Sequence, residues 1–261
     1  SSLSAGTGGL VLYDLTSSAP HNKEFSPHCV KTLMDLKLLD VGYDRQRLTF
    51  TQVRTDLAKR VGDNAATVPT LELSDGTHLQ DSWLIANWLA NHHPKGNALF
   101  PFPSSRPFAA SLNAWGRSNF AAQLRSLTRP PIHDSLTGES KIYFEQVKVG
   151  KQKLEKMRAM TQAERDQQIQ NCIVALEPIQ DALAAVRESH NASAGSLSTV
   201  PLWLEGDQEP THADFCVYGW YVHSRSTGPT ITREIWHALP LVSQWVNALN
   251  AWAGNEITKD F

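Results

Sequence analysis

Ser26-Pro27 stands between an apolar run, residues 10–15, and a helically spaced run, residues 27–39. A hydroxyl at the first turn of a helix can donate a hydrogen bond to a thiolate carried in by a ligand. The positive end of the helix dipole favours the same anion, so the thiol ionises near neutral pH. The pair also makes an ordinary helix start, because serine is a favoured N-cap and proline a favoured first residue. Cys29 lies three residues after Ser26, so the stretch is a C-x-x-C pattern whose first cysteine is serine, and dithiol exchange loses its attacking sulfur. Cys29 itself reads as a small buried side chain. His28 reads either as a helix-start residue facing solvent or as a participant at the site.

Two more dipeptides could serve the same ligand. Val68-Pro69 heads a strand, where a cis X-Pro bond would turn the valine backbone outward to pair with an extended peptide; the alternative is a strand-start proline with no ligand. Asp81-Ser82 opens an apolar helix whose first N–H groups attract a carboxylate, while the Asp81 side chain could take an ammonium; the alternative is a plain N-cap.

The elements that must bring these groups together follow a β-α-β-α then β-β-α order over roughly ninety residues. Strands are expected at 10–15, 43–50, 70–73 and 77–79, and helices at 27–39, 51–62 and 82–92. A turn at Ser74-Asp75-Gly76 joins the last two strands. From residue 95 a proline-rich connector, "PKGNALFPFPSSRP", ends this pattern and a helical half begins. The division is therefore 1–94, a 95–106 linker, and 107–261, with helices over 107–127, 141–160, 162–189, 212–225 and 240–253. "TRPPIHDSLTGES" and "ESHNASAGSLSTVP" read as breaks, and the charge-rich "KVGKQKLEKMRAMTQAERDQQIQ" as a solvated helix face without function.

The chain of 261 residues is 41% hydrophobic and carries a net charge of −2, so it can bury a sizeable core and offers no overall basic field for nucleic acid or anionic lipid. Three scattered cysteines argue against a disulfide framework and for a reducing, cytoplasmic setting, and none has metal-ligand spacing, so no metal is expected. Neither a secretory leader nor a membrane span is expected, and the sequon at Asn191 reads as a polar loop.

Ser26-Pro27, Val68-Pro69 and Asp81-Ser82 in this order, followed by a connector and an all-helical half, resemble the glutathione transferases over essentially the whole chain. The fold implied is an α/β thioredoxin-like N-terminal domain (βαβ-ββα) followed by an all-α C-terminal domain. "PTHADFCVYGW" adds a Thr211-x-x-Asp214 box similar to that family's buried N-capping motif. "FSPHCVKT" with "DSWLIANWL" is most similar to the serine-type, etherase-related branch and the fungal FuA class, with His28 and Cys29 where that class has asparagine and a threonine-like residue.

The resemblance implies glutathione as cosubstrate, a homodimer, and hydrophobic aromatic acceptors, with plant-derived phenolics as candidate ligands. Ser26 would contact the glutathione sulfur, Val68-Pro69 the cysteinyl backbone, and Asp81 with Ser82 the γ-glutamyl end. Arg54 or Lys59 would meet the glycyl carboxylate, with Arg54 preferred. Phe25, His28, Trp115, Asn119 and Phe120 would wall the acceptor site, although Trp115 and Phe120 suit a core equally. Conjugation, peroxide reduction and aryl ether cleavage all start from the same thiolate. A non-catalytic binder of aromatic compounds and a transferase-like interaction module are the rival readings.

Overall fold

The computed structural model describes residues 9–193, 203–205 and 208–257, with backbone alone for 190–193. The sequon side chain of Asn191 and most of the expected break after it lie outside the described residues. The first half runs β1 (Val11–Leu15), α1 (Pro27–Leu38), β2 (Asp44–Leu48), α2, β3 (Thr70–Glu72), β4 (His78–Gln80) and α3 (Ser82–His92); α2 joins the helical turns Phe50–Gln52 and Ala58–Val61 through a π turn at Val53–Leu57. The sheet order is β2-β1-β3-β4, with β1 parallel to β2 and antiparallel to β3, and β3 antiparallel to β4. This is the βαβ-ββα layout. β1 is buried at all five residues, as befits a central strand covered on both faces.

The second half consists of α4 (Ser105–Trp115), a π turn (Gly116–Phe120), α5 (Ala121–Asp134), α6 (Gly138–Tyr143) with a π turn (Phe144–Val149), α7 (Lys151–Arg158), α8 (Gln162–Ser193), α9 (His212–Ser224), α10 (Pro229–Trp236) and α11 (Pro240–Ala253). Among the described residues no helix is long and apolar enough to cross a membrane.

Several sequence expectations need correction. The second strand stops at Leu48 because Thr49 caps the next helix: its N–H donates to Gln52 Oε1 at 2.9 Å and its Oγ1 accepts from Gln52 N at 3.4 Å. α5 continues through "TRPP" to Asp134, since burial of Leu127 and Ile132 on either side of Pro130 and Pro131 outweighs the helix bonds those prolines cannot donate. The helix expected over 141–160 is split at Gly150, whose φ of 91° suits glycine. α10 is additional to the expected helices, and it starts where Gly228 followed by Pro229 gives a helix-start signal.

One hydrophobic cluster crosses between the halves, joining Leu12, Leu33 and Leu71 of the first to Phe215, Trp236 and Trp245 of the second. α1 lies at its centre. Its Leu33, Met34 and Leu36 are fully buried, each contributing about 1.5–3 kcal/mol of apolar burial. α1 packs chiefly on α9, and a buried pair ties them: His212 Nδ1 lies 2.8 and 3.0 Å from the Asp35 carboxylate oxygens.

Burial alone would lower the His212 pKa, but Asp35 beside it raises it from 6.5 to about 10. Burial also raises Asp35 against the pull of His212, which offsets part of the gain; the short contacts nonetheless favour a charged pair at neutral pH. A histidine raised on folding contributes stability that is complete below its unfolded pKa and lost as pH climbs through the folded one. The advantage of the wild type over His212→Asn in urea unfolding should thus shrink between pH 6.5 and about 10. A pH-independent difference would show that the pair is not ionised.

Candidate active site

A cavity of about 340 Å3 opens at the end of the sheet where β1, α1, β3 and α3 meet. It brings together Ser26, Arg54, Val68, Pro69, Asp81 and Ser82 of the first half. Each is placed by a local cause. Ser26 is the N-cap of α1, with extended backbone (φ −81°, ψ 114°), Pro27 after it, and an Oγ that accepts from Cys29 N–H at 3.3 Å. Because the oxygen accepts in that bond, the hydroxyl proton remains to be donated. The Val68-Pro69 peptide is cis, and Pro69 O accepts from Asp81 N–H at 3.2 Å, locking the β3 entry to the start of α3.

Asp81 has φ 82° and ψ 127°, a left-side backbone costly for a residue with a side chain. Its Oδ1 accepts from Trp83 N at 2.8 Å and Leu84 N at 3.3 Å, which helps hold that conformation. Arg54 sits on the π turn of α2. Its Nε donates to Tyr143 OH at 3.2 Å and its Nη1 to Asn64 O at 3.3 Å, so the guanidinium is oriented by both halves. Lys59 is exposed and does not line the cavity.

His28 lines the cavity and is half-buried rather than solvent-facing. Burial, reinforced by Lys31, Arg117 and His223, pushes its pKa down to about 3, so the imidazole is neutral. Cys29 is buried and its thiol is raised well above its usual value, first by burial and then by Asp14, which makes it a poor nucleophile.

The expected acceptor wall is not assembled as the sequence suggested. Phe120 has no exposed surface; it stacks on Trp115 at 5.3 Å and meets Trp236 edge-on in the helical core. Trp115 donates its indole N–H to Ala175 O at 3.1 Å. Phe25 is buried against Phe50 at a ring distance of 5.9 Å, and Asn119 is exposed away from the cavity lining. These four therefore do not form the wall. The second half contributes Arg117 and Lys148 instead. Both escaped sequence reasoning: Lys148 opens the charged run assigned to solvent, and nothing local to Arg117 marks it.

The capping box takes the form its sequence suggests. Asp214 is fully buried and accepts from Thr211 N and Leu204 N, both at 2.9 Å, and from Trp245 Nε1 at 2.7 Å. The helix it caps, α9, reaches the Ser26 loop: His223 Nδ1 is 2.6 Å from Phe25 O, and Gly219 lies so close to Pro27 that a Cβ would collide with the Pro27 carbonyl oxygen. His223 is held neutral, with its pKa lowered to about 4, mainly by burial. It therefore donates to that carbonyl.

A model of the glutathione S-transferase N-terminal domain matches residues 25–92, and one of the C-terminal domain matches residues 108–247. Among solved structures, a glutathione S-transferase of Ceriporiopsis subvermispora in complex with glutathione superposes with a TM-score of 0.77 at 18% identity, covering 97% of this chain and 99% of that one. Glutathione transferases GSTFuA3 and GSTFuA2 from Phanerochaete chrysosporium each give 0.74, at 17% and 19% identity, covering 93% of this chain and 96% and 97% of theirs. With both halves matched by its domain models, the chain belongs to the glutathione S-transferase family.

Proposed function

We propose that the cavity binds glutathione, ionises its thiol, and directs the thiolate at hydrophobic aromatic electrophiles. The observation that carries this reading is the shared cavity of Ser26, Val68, Asp81 and Ser82, with one hydroxyl at the positive end of α1. Ser26 donates to the sulfur. Val68 pairs with the cysteinyl backbone, and Asp81 with Ser82 holds the γ-glutamyl ammonium and carboxylate. Arg54 meets the glycyl carboxylate. No metal is needed, since a positioned and partly desolvated thiolate is already a strong nucleophile. The first 94 residues act as the glutathione-binding domain and residues 107–261 as the helical domain of a cytoplasmic homodimer, with plant-derived phenolics among its ligands.

Calorimetric titration with glutathione tests the binding step. The wild type should bind, and Asp81→Ala should weaken binding by about tenfold, the loss of one charge-assisted contact. A des-amino glutathione should bind both proteins alike. If Asp81→Ala binds glutathione as tightly as the wild type, the γ-glutamyl assignment is wrong.

A further inference from the structure

The wall that α1 and the second half set beside Ser26 is made of hydrogen-bond donors, His28 from the one and Arg117 and Lys148 from the other. Lys31, fully buried on α1, donates to Asn113 Oδ1 on α4, and its Nζ lies 3.4 Å from His28 Nδ1. Burial lowers the Lys31 pKa, yet Nζ keeps hydrogens for both contacts in either protonation state, so with Nδ1 accepting, the ring proton sits on Nε2. With Nδ1 turned to Lys31, the Nε2–H edge is the one left for the cavity that His28 lines. Arg117 lines the same cavity, close enough to depress His28.

Behind His28 the Trp220 ring stands edge-on at 6.1 Å, and its indole N–H is buried with no partner among the described residues. Gly116, at the head of the π turn that carries Arg117, leaves room for that indole, because a Cβ there would collide with Trp220 Nε1. Asp81 is the one carboxylate among the described lining residues, and the glutathione reading assigns it to the ligand ammonium. Among the described lining residues, the His28–Arg117 wall therefore has donors and no further carboxylate to answer them.

We infer that His28 Nε2–H and the Arg117 guanidinium bind the oxygen of an acceptor that becomes negative as the thiolate adds, so conjugated carbonyl compounds are favoured over alkyl or benzyl halides. This rests on the glutathione reading. The thiolate sulfur bonds to the β-carbon, the C=C pair moves toward the carbonyl, and the oxygen gains the charge as an enolate held by the two donors. The enolate α-carbon then takes a proton from water, completing addition of the glutathione S–H across the double bond. No oxidant or further reactant is required. A halide puts its charge on the departing halide and leaves no such oxygen to hold.

The test compares kcat/KM for 4-phenylbut-3-en-2-one and for benzyl bromide in the wild type, H28L and H28Q, with glutathione affinity measured alongside. Because each ratio is taken within one protein, it does not depend on how much of a variant folds. The enone-to-bromide ratio should fall about tenfold or more in H28L, in kcat rather than KM, and recover in part in H28Q, which keeps a donor. An unchanged ratio in H28L overturns the assignment. So does a wild type that binds glutathione but does not turn over the enone. A wild type that fails to bind glutathione would instead remove the underlying reading, and the inference with it.

Discussion

Ser26→Ala should still bind glutathione, with affinity within about threefold, yet lose about ten- to a hundredfold in kcat/KM at pH 7. One hydrogen bond to the anion is worth about one to two pKa units of the bound thiol, at about 1.36 kcal/mol each. Affinity should survive because the proposed reading holds the peptide elsewhere, at Val68, Asp81 and Ser82, which line the same cavity. On that reading the sulfur would lose its hydroxyl donor while the dipole of α1 remains, so ionisation should be impaired and not abolished. The thiolate absorbance of the complex, followed against pH, should titrate at least one unit higher in the variant, and its rate should recover at alkaline pH. Ser26→Thr, which keeps a hydroxyl, should titrate near the wild type. Cys29 N–H also loses its cap in Ser26→Ala, costing about 1 kcal/mol of stability, which a melting curve separates from the change at the sulfur. Equal thiol titrations in wild type and Ser26→Ala would reduce Ser26 to a helix cap.

The largest loss of stability is expected from Asp214→Ala. Three buried donors, the N–H groups of Thr211 and Leu204 and the Trp245 indole, converge on this carboxylate at 2.7–2.9 Å. Removing it strands all of them, at about 1–3 kcal/mol each, so the variant should lose about 3 kcal/mol or more and can fail to fold. Asp214→Asn keeps one acceptor oxygen and should lose less. Urea unfolding of the three proteins reads the order directly. An Asp214→Ala protein within about 1 kcal/mol of the wild type would mean that other groups satisfy these donors.

What was legible in the sequence was what local backbone chemistry decides. Ser26 and Asp81 cap helices, Pro69 heads a strand, and Thr211 with Asp214 forms a capping box; each announces itself within four residues. The acceptor side was not legible, because it depends on how the helical half docks. Trp115 and Phe120 are five residues apart, which in a regular helix would set them about 140° apart. The π turn between them widens the helix and lets them stack on one side, facing the core, and no residue pattern foretold it. Arg117 sits on that same turn. Lys148 lies on another, at Phe144–Val149, so both unforeseen cations of the cavity are borne by π turns.

The seating of α9 against the Ser26 loop has a bearing on chimaeras between relatives. Gly219 against Pro27, and His223 against the Phe25 carbonyl, bracket Ser26 from the opposite half of the chain. Grafting another protein's sheet onto these helices, or the reverse, would alter the mould in which the serine is cast even if every glutathione-contacting residue were kept. Successful recombination would have to transplant α1 and α9 as one inseparable unit.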